Sequence, residues 1–397
     1  MKASSYLLHV DNPPTGEIAN SISIIDGWFA WRGGTPPPTL KINDANLEWL
    51  AVHRPDVAQR LSNCDSQGFR AVLDTSSLAP QTPQQVELQL YLDERIVAQR
   101  EMRVSEAALH EGNLAAACRR TKRQWLREHV VCPVCPQETG EIEFLSGQAR
   151  CTRCGELYPD TGFVLDFLPA ELRNSFRISD AEDISAHHYD EVATEIVEDV
   201  RRSGGKVLDC GSGMRPRVDD AVVCLEVAAF PSVDVLAVNQ KLPFRSASFD
   251  AVLSLNVLEH VTDPFACASE LVRVLKPGGK LYCCIPFLQP LHGYPHHYFN
   301  ATRSGLRQLF PGDFEVLQHL VPRSGEPVWT LHWFLSWYAA HLPEDKRKAF
   351  LQLRVKDVLE KRPLALLNDP WVLALSEEGK WKLASTTAAV LRKPEAK

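Results

Sequence analysis

The stretch Lys206-Val207-Leu208-Asp209-Cys210-Gly211-Ser212-Gly213 constrains this chain more than any other. An apolar run ends in an acidic residue and passes straight into a Gly-x-Gly turn, where the missing Cβ lets the backbone come close to a ligand. Upstream, Val192, Ile196, Val197 and Val200 recur at helical spacing, and Gly204-Gly205 closes that helix. Downstream, strand-like runs at 222–225, 249–254 and 280–285 alternate with an amphipathic segment at 265–274, which Lys276-Pro277-Gly278-Gly279 is expected to stop. Such alternation predicts a parallel sheet and an α/β fold. Open parallel sheets bind ligands beyond the carboxyl ends of their strands, so Asp209 and Glu226 are expected to face a crevice.

A dinucleotide site fails on its own pattern. It needs a third glycine opening a helix, but position 216 is Pro216, and too few residues separate Gly213 from the next strand for a full helix.

The same residues, with Leu242-Pro243-Phe244, Ser248-Phe249-Asp250-Ala251-Val252, Asn256-Val257-Leu258-Glu259-His260-Val261 and Leu275-Lys276-Pro277-Gly278-Gly279-Lys280-Leu281, resemble the class I S-adenosylmethionine-dependent methyltransferases over residues 185–320. The resemblance implies a Rossmann-like parallel sheet and S-adenosylmethionine as cofactor. It gives Asp209, Gly211, Ser212 and Gly213 to the methionine end, Glu226 to the ribose hydroxyls, and Leu255 and Asn256 to the wall near the sulfonium. Two departures stand out. The helix after the glycine turn is shortened to a loop, and Ala237-Val238-Asn239 replaces the usual acid near adenine, leaving Asn239 or backbone groups for that contact.

Methyl transfer is an in-line displacement, in which alignment contributes about 7–11 kcal/mol in favourable cases. A hydroxyl acceptor also needs a general base, and histidine is the natural choice near neutral pH. His260, and His296 and His297 in the Pro-rich loop that also holds His292, are the candidates, since in the resembling family both segments border the acceptor. The acceptor expected is a saccharide or other small molecule of bacterial glycan or secondary metabolism. The rivals are an RNA methyltransferase, or a scaffold that keeps the fold without turnover.

Cys132-Pro133-Val134-Cys135 and Cys151-Thr152-Arg153-Cys154 are separated by fifteen residues. Two CxxC turns at this spacing can place four thiolates at the corners of a tetrahedron around structural Zn²⁺, with no position left open for water. The region resembles the short zinc-ribbon proteins that accompany some methyltransferases. All eleven cysteines together are an odd number in a large chain without an export signal, which argues against a disulfide framework and for a cytoplasmic setting.

Residues 1–104 read as a β-sandwich-like module, with alternation clearest at Val86-Glu87-Leu88-Gln89-Leu90, and Arg54-Pro55-Asp56-Val57 with Gly68-Phe69-Arg70 resembles an accessory immunoglobulin-like module of some bacterial glycan-modifying enzymes. Residues 105–170 form a helical linker and the ribbon, 171–322 the methyltransferase domain, and 323–397 a helical extension anchored by Trp371 and Trp381. In the linker, Arg119, Arg120, Lys122, Arg123 and Arg127 read as a solvated face or, alternatively, a phosphate-contacting patch. A net charge of -7 disfavours nucleic acid as the main partner. No apolar run is long enough for a membrane span. Oligomeric state is not legible.

Overall fold

The computed structural model describes residues 6–32, 37–61, 64–77, 85–136, 139–173, 185–293, 296–310, 312 and 314–385. Contacts divide the chain into two units, 1–254 with 270–282, and 255–269 with 283–397.

The first unit begins with two sheets. Strand Ile22–Arg32 pairs antiparallel along its whole length with Cys64–Asp74, and Tyr6–Asn12 and Trp49–Val52 flank them. The second sheet is built on the hairpin Gln85–Leu92 and Arg95–Val104. The alternation read from the sequence is visible as burial. Val86, Leu88 and Leu90 are fully enclosed and share one core with Ile25, Phe29, Phe69 and Leu73. Inner-face residues of two sheets packing this way make a sandwich, as expected.

Ser105 caps the helix Glu106–His129, its Oγ accepting the Ala108 N–H at 3.1 Å. Three cations of the basic cluster on this helix, Arg119, Lys122 and Arg123, are engaged in internal pairs, whereas Arg120 and Arg127 are exposed. Lys122 is 1% exposed and donates to Asp234 at 2.7 Å and to the Val222 carbonyl at 3.1 Å. Arg119 donates to Asp74 at 2.8 Å and to the Pro231 carbonyl at 3.1 Å, and Arg123 pairs with Asp160. These cations brace the helix against the sandwich and the parallel sheet. Removing one partner of a buried pair such as Lys122–Asp234 typically costs about 3–5 kcal/mol, because the other charge is stranded. Sequence alone could not separate these residues from a solvated run, because their partners lie 37 to 112 positions away.

The helix leads into a small antiparallel sheet, Ile142–Phe144, Gln148–Cys151 and Leu157–Pro159. A six-stranded sheet follows: β1 (Leu165–Asp166), β2 (Val207–Cys210), β3 (Val222–Glu226), β4 (Val235–Leu236), β5 (Phe249–Leu255) and β6 (Leu275–Cys284). Its order is β1-β4-β3-β2-β5-β6, and the β1–β4, β4–β3, β3–β2 and β2–β5 pairings are parallel. All four residues of β2 are buried, as a central strand covered on both faces requires. The order reverses at β2, with β3 on one side and β5 on the other, and that reversal is where ligands bind in open α/β sheets. The preceding helix, Glu191–Arg202, buries Ala193, Ile196, Val197 and Val200 on the expected face.

One expectation is corrected. The amphipathic helix does end at Val274, but the last strand starts before Lys280, so that Lys276-Pro277-Gly278-Gly279 lies inside β6. A Cβ on Gly279 would stand 2.8 Å from the Asp250 carbonyl oxygen, so glycine lets the chain run close beside its neighbour.

In the second unit the helices Pro327–Ala340, Glu344–Leu351 and Pro370–Leu373 enclose a small aromatic core. Tyr338 stacks on Phe350 at 4.9 Å and meets Trp371 edge-on at 5.4 Å. Trp371 therefore anchors as expected. Trp381 does not, being 61% exposed. Among the described residues no helix is long and apolar enough to cross a membrane.

Candidate functional site

Four of the expected cofactor residues come together at the carboxyl end of β2. The Gly211 and Ser212 amides both donate to the Leu225 carbonyl, at 2.9 and 3.1 Å, which folds the glycine turn back onto β3. Gly211 and Gly213 adopt φ of 76° and 60°, in the left-handed region that favours glycine. At Gly213 a Cβ would also strike the Ser185 carbonyl oxygen at 2.4 Å. Ser212 is buried, its hydroxyl donating to the Gly213 carbonyl at 2.9 Å.

Glu226, the last residue of β3, is tied to this turn. Its Oε1 accepts the Gly213 N–H at 2.9 Å and its Oε2 accepts the Val227 N–H at 2.7 Å. Burial raises its carboxyl above the usual range, against the pull of these amides. The Ala228 amide also donates a hydrogen bond to this carboxylate, which leaves only part of its acceptor capacity for a hydroxyl donor.

Asp209 is fully buried, with Oδ2 accepting from Tyr189 Oη at 2.5 Å and from Arg215 Nε at 2.7 Å. Its Oδ1 is buried without a hydrogen bond among the described residues. An orphaned carboxylate oxygen beside a glycine bend fits the amine end of an amino-acid-like ligand. Residues 214–221 form the expected loop rather than a helix. Arg215 occupies that loop, its Nη1 donating to the His187 carbonyl at 2.7 Å and its guanidinium lying over the Tyr189 ring at 4.1 Å. Arg215 and Tyr189 were not singled out in the sequence, where nothing links positions 26 apart to one carboxylate.

Asn239 lies in the turn after β4 and is 6% exposed. Leu255 closes β5, and Asn256 follows it with φ 56°, its N–H donating to the Cys284 carbonyl at 3.1 Å.

The four cysteines converge as their spacing implies. Cys132 Sγ lies 3.7 Å from Cys154 Sγ, and Cys135 Sγ 3.7 Å from Cys151 Sγ. Zinc–sulfur bonds of about 2.3 Å give a tetrahedron with edges of about 3.8 Å, which matches. The Arg153 and Cys154 amides reach Cys151 Sγ at 3.4 and 3.5 Å, and Tyr158 Oη lies 3.0 Å from Cys132 Sγ. The donor set is compatible with zinc.

In the second unit, His260 and His297 gather with two residues that had no assigned role, Glu259 and His292. The ring centroids of His260 and His292 are 5.3 Å apart, and those of His292 and His297 4.3 Å. Glu259 is fully buried, and burial pushes its carboxyl up to about 8. Burial also pushes His292 down to about 4. His296 contributes its carbonyl, which accepts the His260 Nδ1–H at 2.8 Å, while its ring is exposed and tilts against Tyr298. His297 Nε2 lies 2.9 Å from Asn300 Oδ1 and its Nδ1 accepts the His292 N–H at 3.3 Å, so both ring nitrogens are engaged. His260 Nε2 makes no hydrogen bond among the described residues and lies 3.8 Å from Glu259 Oε1.

A parallel sheet with its strand order reversed at a glycine bend, and an acid at the next strand's end, is the α/β arrangement that places ligands beyond the carboxyl ends of the strands. A methyltransferase-domain family model matches residues 211–283. An uncharacterized methyltransferase of Mycobacterium tuberculosis is 37% identical over 83 residues, covering 20% of this chain and 33% of that protein. A ubiquinone biosynthesis O-methyltransferase of Xanthomonas oryzae pv. oryzae is 30% identical over 190 residues, covering 43% of this chain and 69% of that protein. A solved chain from the complex of the Haloferax volcanii Trm112 methyltransferase activator with a methyltransferase is 23% identical over 23% of this chain and 49% of that one, at a TM-score of 0.19, too low to carry weight. The chain belongs to the class I S-adenosylmethionine-dependent methyltransferase family. It spans about a third of the length of the mycobacterial relatives it matches.

Proposed function

We propose that the chain transfers a methyl group from S-adenosylmethionine to a hydroxyl of a saccharide or other small molecule, in bacterial glycan or secondary metabolism. The observation that carries this reading is Glu226, held at the carboxyl end of β3 by backbone amides with acceptor capacity left for a ribose hydroxyl. Glu226 would accept the ribose hydroxyls, and Asp209 Oδ1 the methionyl amine beside the Gly211–Ser212–Gly213 turn. Asn239 would face adenine, and Leu255 and Asn256 the sulfonium end. The bound cofactor supplies an electrophilic methyl carbon, and the chain's residues orient it and exclude water.

His260, His296 and His297 are the candidates for taking the acceptor's proton. His260 is the best equipped, because its Nδ1–H is fixed on a carbonyl and Nε2 keeps its lone pair. An O-methyltransferase of small-molecule biosynthesis among the relatives supports a hydroxyl acceptor. Nucleic acid has little to recommend it, since Arg119, Lys122 and Arg123 are engaged in internal pairs. The same reading keeps four parts, 1–104, 105–170, 171–322 and 323–397, places Zn²⁺ on Cys132, Cys135, Cys151 and Cys154 as a structural ion, and sets the protein in the cytoplasm.

Calorimetry with S-adenosylmethionine tests the claim. The wild-type chain should bind, and Glu226→Ala should bind about 10–100-fold more weakly, as loss of hydrogen bonds to a charged group predicts. No binding by the wild-type chain, or equal binding by the variant, would remove the proposal.

A further inference from the structure

We propose that Glu259, His260 and His292 form a binding site for a divalent transition-metal ion, separate from the four cysteines. One ligand atom from each residue already lies within 4.8 Å of the other two. Metal bonds of about 2.0–2.2 Å to nitrogen and oxygen place neighbouring donors about 3.0–3.6 Å apart, so small side-chain rotations close the set. His260 Nε2 and Glu259 Oε1, at 3.8 Å, are nearly there.

Three independent features point to a cation. Glu259 is 0% exposed, and neither carboxylate oxygen has a hydrogen-bond partner among the described residues. A buried carboxylate without a partner is costly, and a coordinated metal is one of the few groups that satisfy both oxygens. Next, both imidazoles are oriented as metal ligands commonly are. His260 Nδ1–H donates to the His296 carbonyl and His292 Nδ1–H to the Pro290 carbonyl, each at 2.8 Å, which fixes the tautomer and leaves Nε2 as the free donor.

The third feature is the loop that brings His292 back. The Tyr298 and Phe299 amides both donate to the Glu259 carbonyl, at 2.6 and 3.3 Å. Gly293, at φ 85°, packs where a Cβ would lie 2.3 Å from His260 Cε1.

Two imidazoles and one carboxylate suit Zn²⁺, Fe²⁺, Mn²⁺ or Co²⁺ and leave coordination positions open for an oxygen ligand such as water or a hydroxyl. A cation on His260 Nε2 takes the lone pair a general base would need. His260 is then a ligand, and the metal instead makes the bound oxygen acidic.

Co²⁺ added to the full chain, with its cysteine site already filled by Zn²⁺, is the test. The wild-type chain should take up one Co²⁺ with visible d–d absorption and no sulfur-to-cobalt charge-transfer band. His292→Ala and the near-isosteric Glu259→Gln should each weaken uptake at least tenfold, while circular dichroism reports their folding. No Co²⁺ uptake by the wild-type chain, a thiolate-type spectrum, or full uptake by folded variants would overturn the site. If a variant unfolds, the wild-type spectrum and stoichiometry decide alone. Calorimetry with S-adenosylmethionine on the same samples separates the two proposals. Cobalt uptake without cofactor binding would sink methyl transfer alone, and the reverse would sink only the metal site.

Discussion

Two donor clusters in this chain are both compact and opposite in chemistry. The ligand atoms of Cys132, Cys135, Cys151 and Cys154, and those of Glu259, His260 and His292, each lie within 4.8 Å of one another. Four sulfurs close a tetrahedron and leave nothing for a substrate to bind. One carboxylate and two imidazoles leave the sphere open. The surroundings differ in the same sense, with amide N–H groups directed at Cys151 Sγ and backbone carbonyls fixing the two imidazoles. Donor type and the partners behind the donors, rather than proximity, would separate a metal clamp that holds a fold from a metal centre that can do chemistry.

The largest effect that would break this comparison comes from Cys151→Ser. Structural zinc contributes on the order of 10–16 kcal/mol of apparent binding free energy in small zinc peptides, and without it such folds melt. The variant should lose its zinc by mass spectrometry, and the amides of Gln148–Cys151, Leu157 and Tyr158 should lose hydrogen-exchange protection by orders of magnitude. Retained protection would mean that the small sheet stands without metal. A smaller effect of opposite sign belongs to the other cluster. In metal-free protein the enclosed, unpartnered Glu259 carboxyl is a liability, and Glu259→Met should raise stability by about 1–3 kcal/mol, read as a higher melting temperature. Cysteine substitution destabilises and glutamate substitution stabilises. Equal signs would erase the distinction.

The contrast also explains what the sequence disclosed. CxxC pairs write their geometry locally, because each turn aims two sulfurs to one side, and the observed 3.7 Å separations follow from that spacing. The β2 strand and Gly-x-Gly turn are legible for the same reason. Asp209, Gly211, Ser212 and Gly213 are contiguous, and Glu226 is reached through one strand pairing, Cys210 against Leu225. Glu259 lies in Asn256-Val257-Leu258-Glu259-His260-Val261, where spacing gives it no role. The role proposed for it depends on His292, 33 positions on, which tertiary packing brings beside it. Arg215 and Lys122 were opaque likewise, as their carboxylate partners are set by tertiary packing and not by spacing. An acid next to a histidine in an apolar run was the one available clue.

The smallest expected effect sharpens the cluster's edge. His296 stands four residues from His292, yet it enters the cluster only through its carbonyl oxygen, which any residue supplies. Its ring is exposed and tilts against Tyr298 at 5.3 Å. His296→Ala keeps the acceptor for His260 Nδ1–H, so Co²⁺ affinity should stay within about twofold of wild type and stability within about 0.5 kcal/mol, as for an ordinary surface substitution. Cobalt titration and thermal melting measure both. A tenfold loss of cobalt affinity would show that the imidazole belongs to the coordination set, whereas unchanged binding with lost turnover would assign His296 to proton transfer and leave Glu259, His260 and His292 as the ligands.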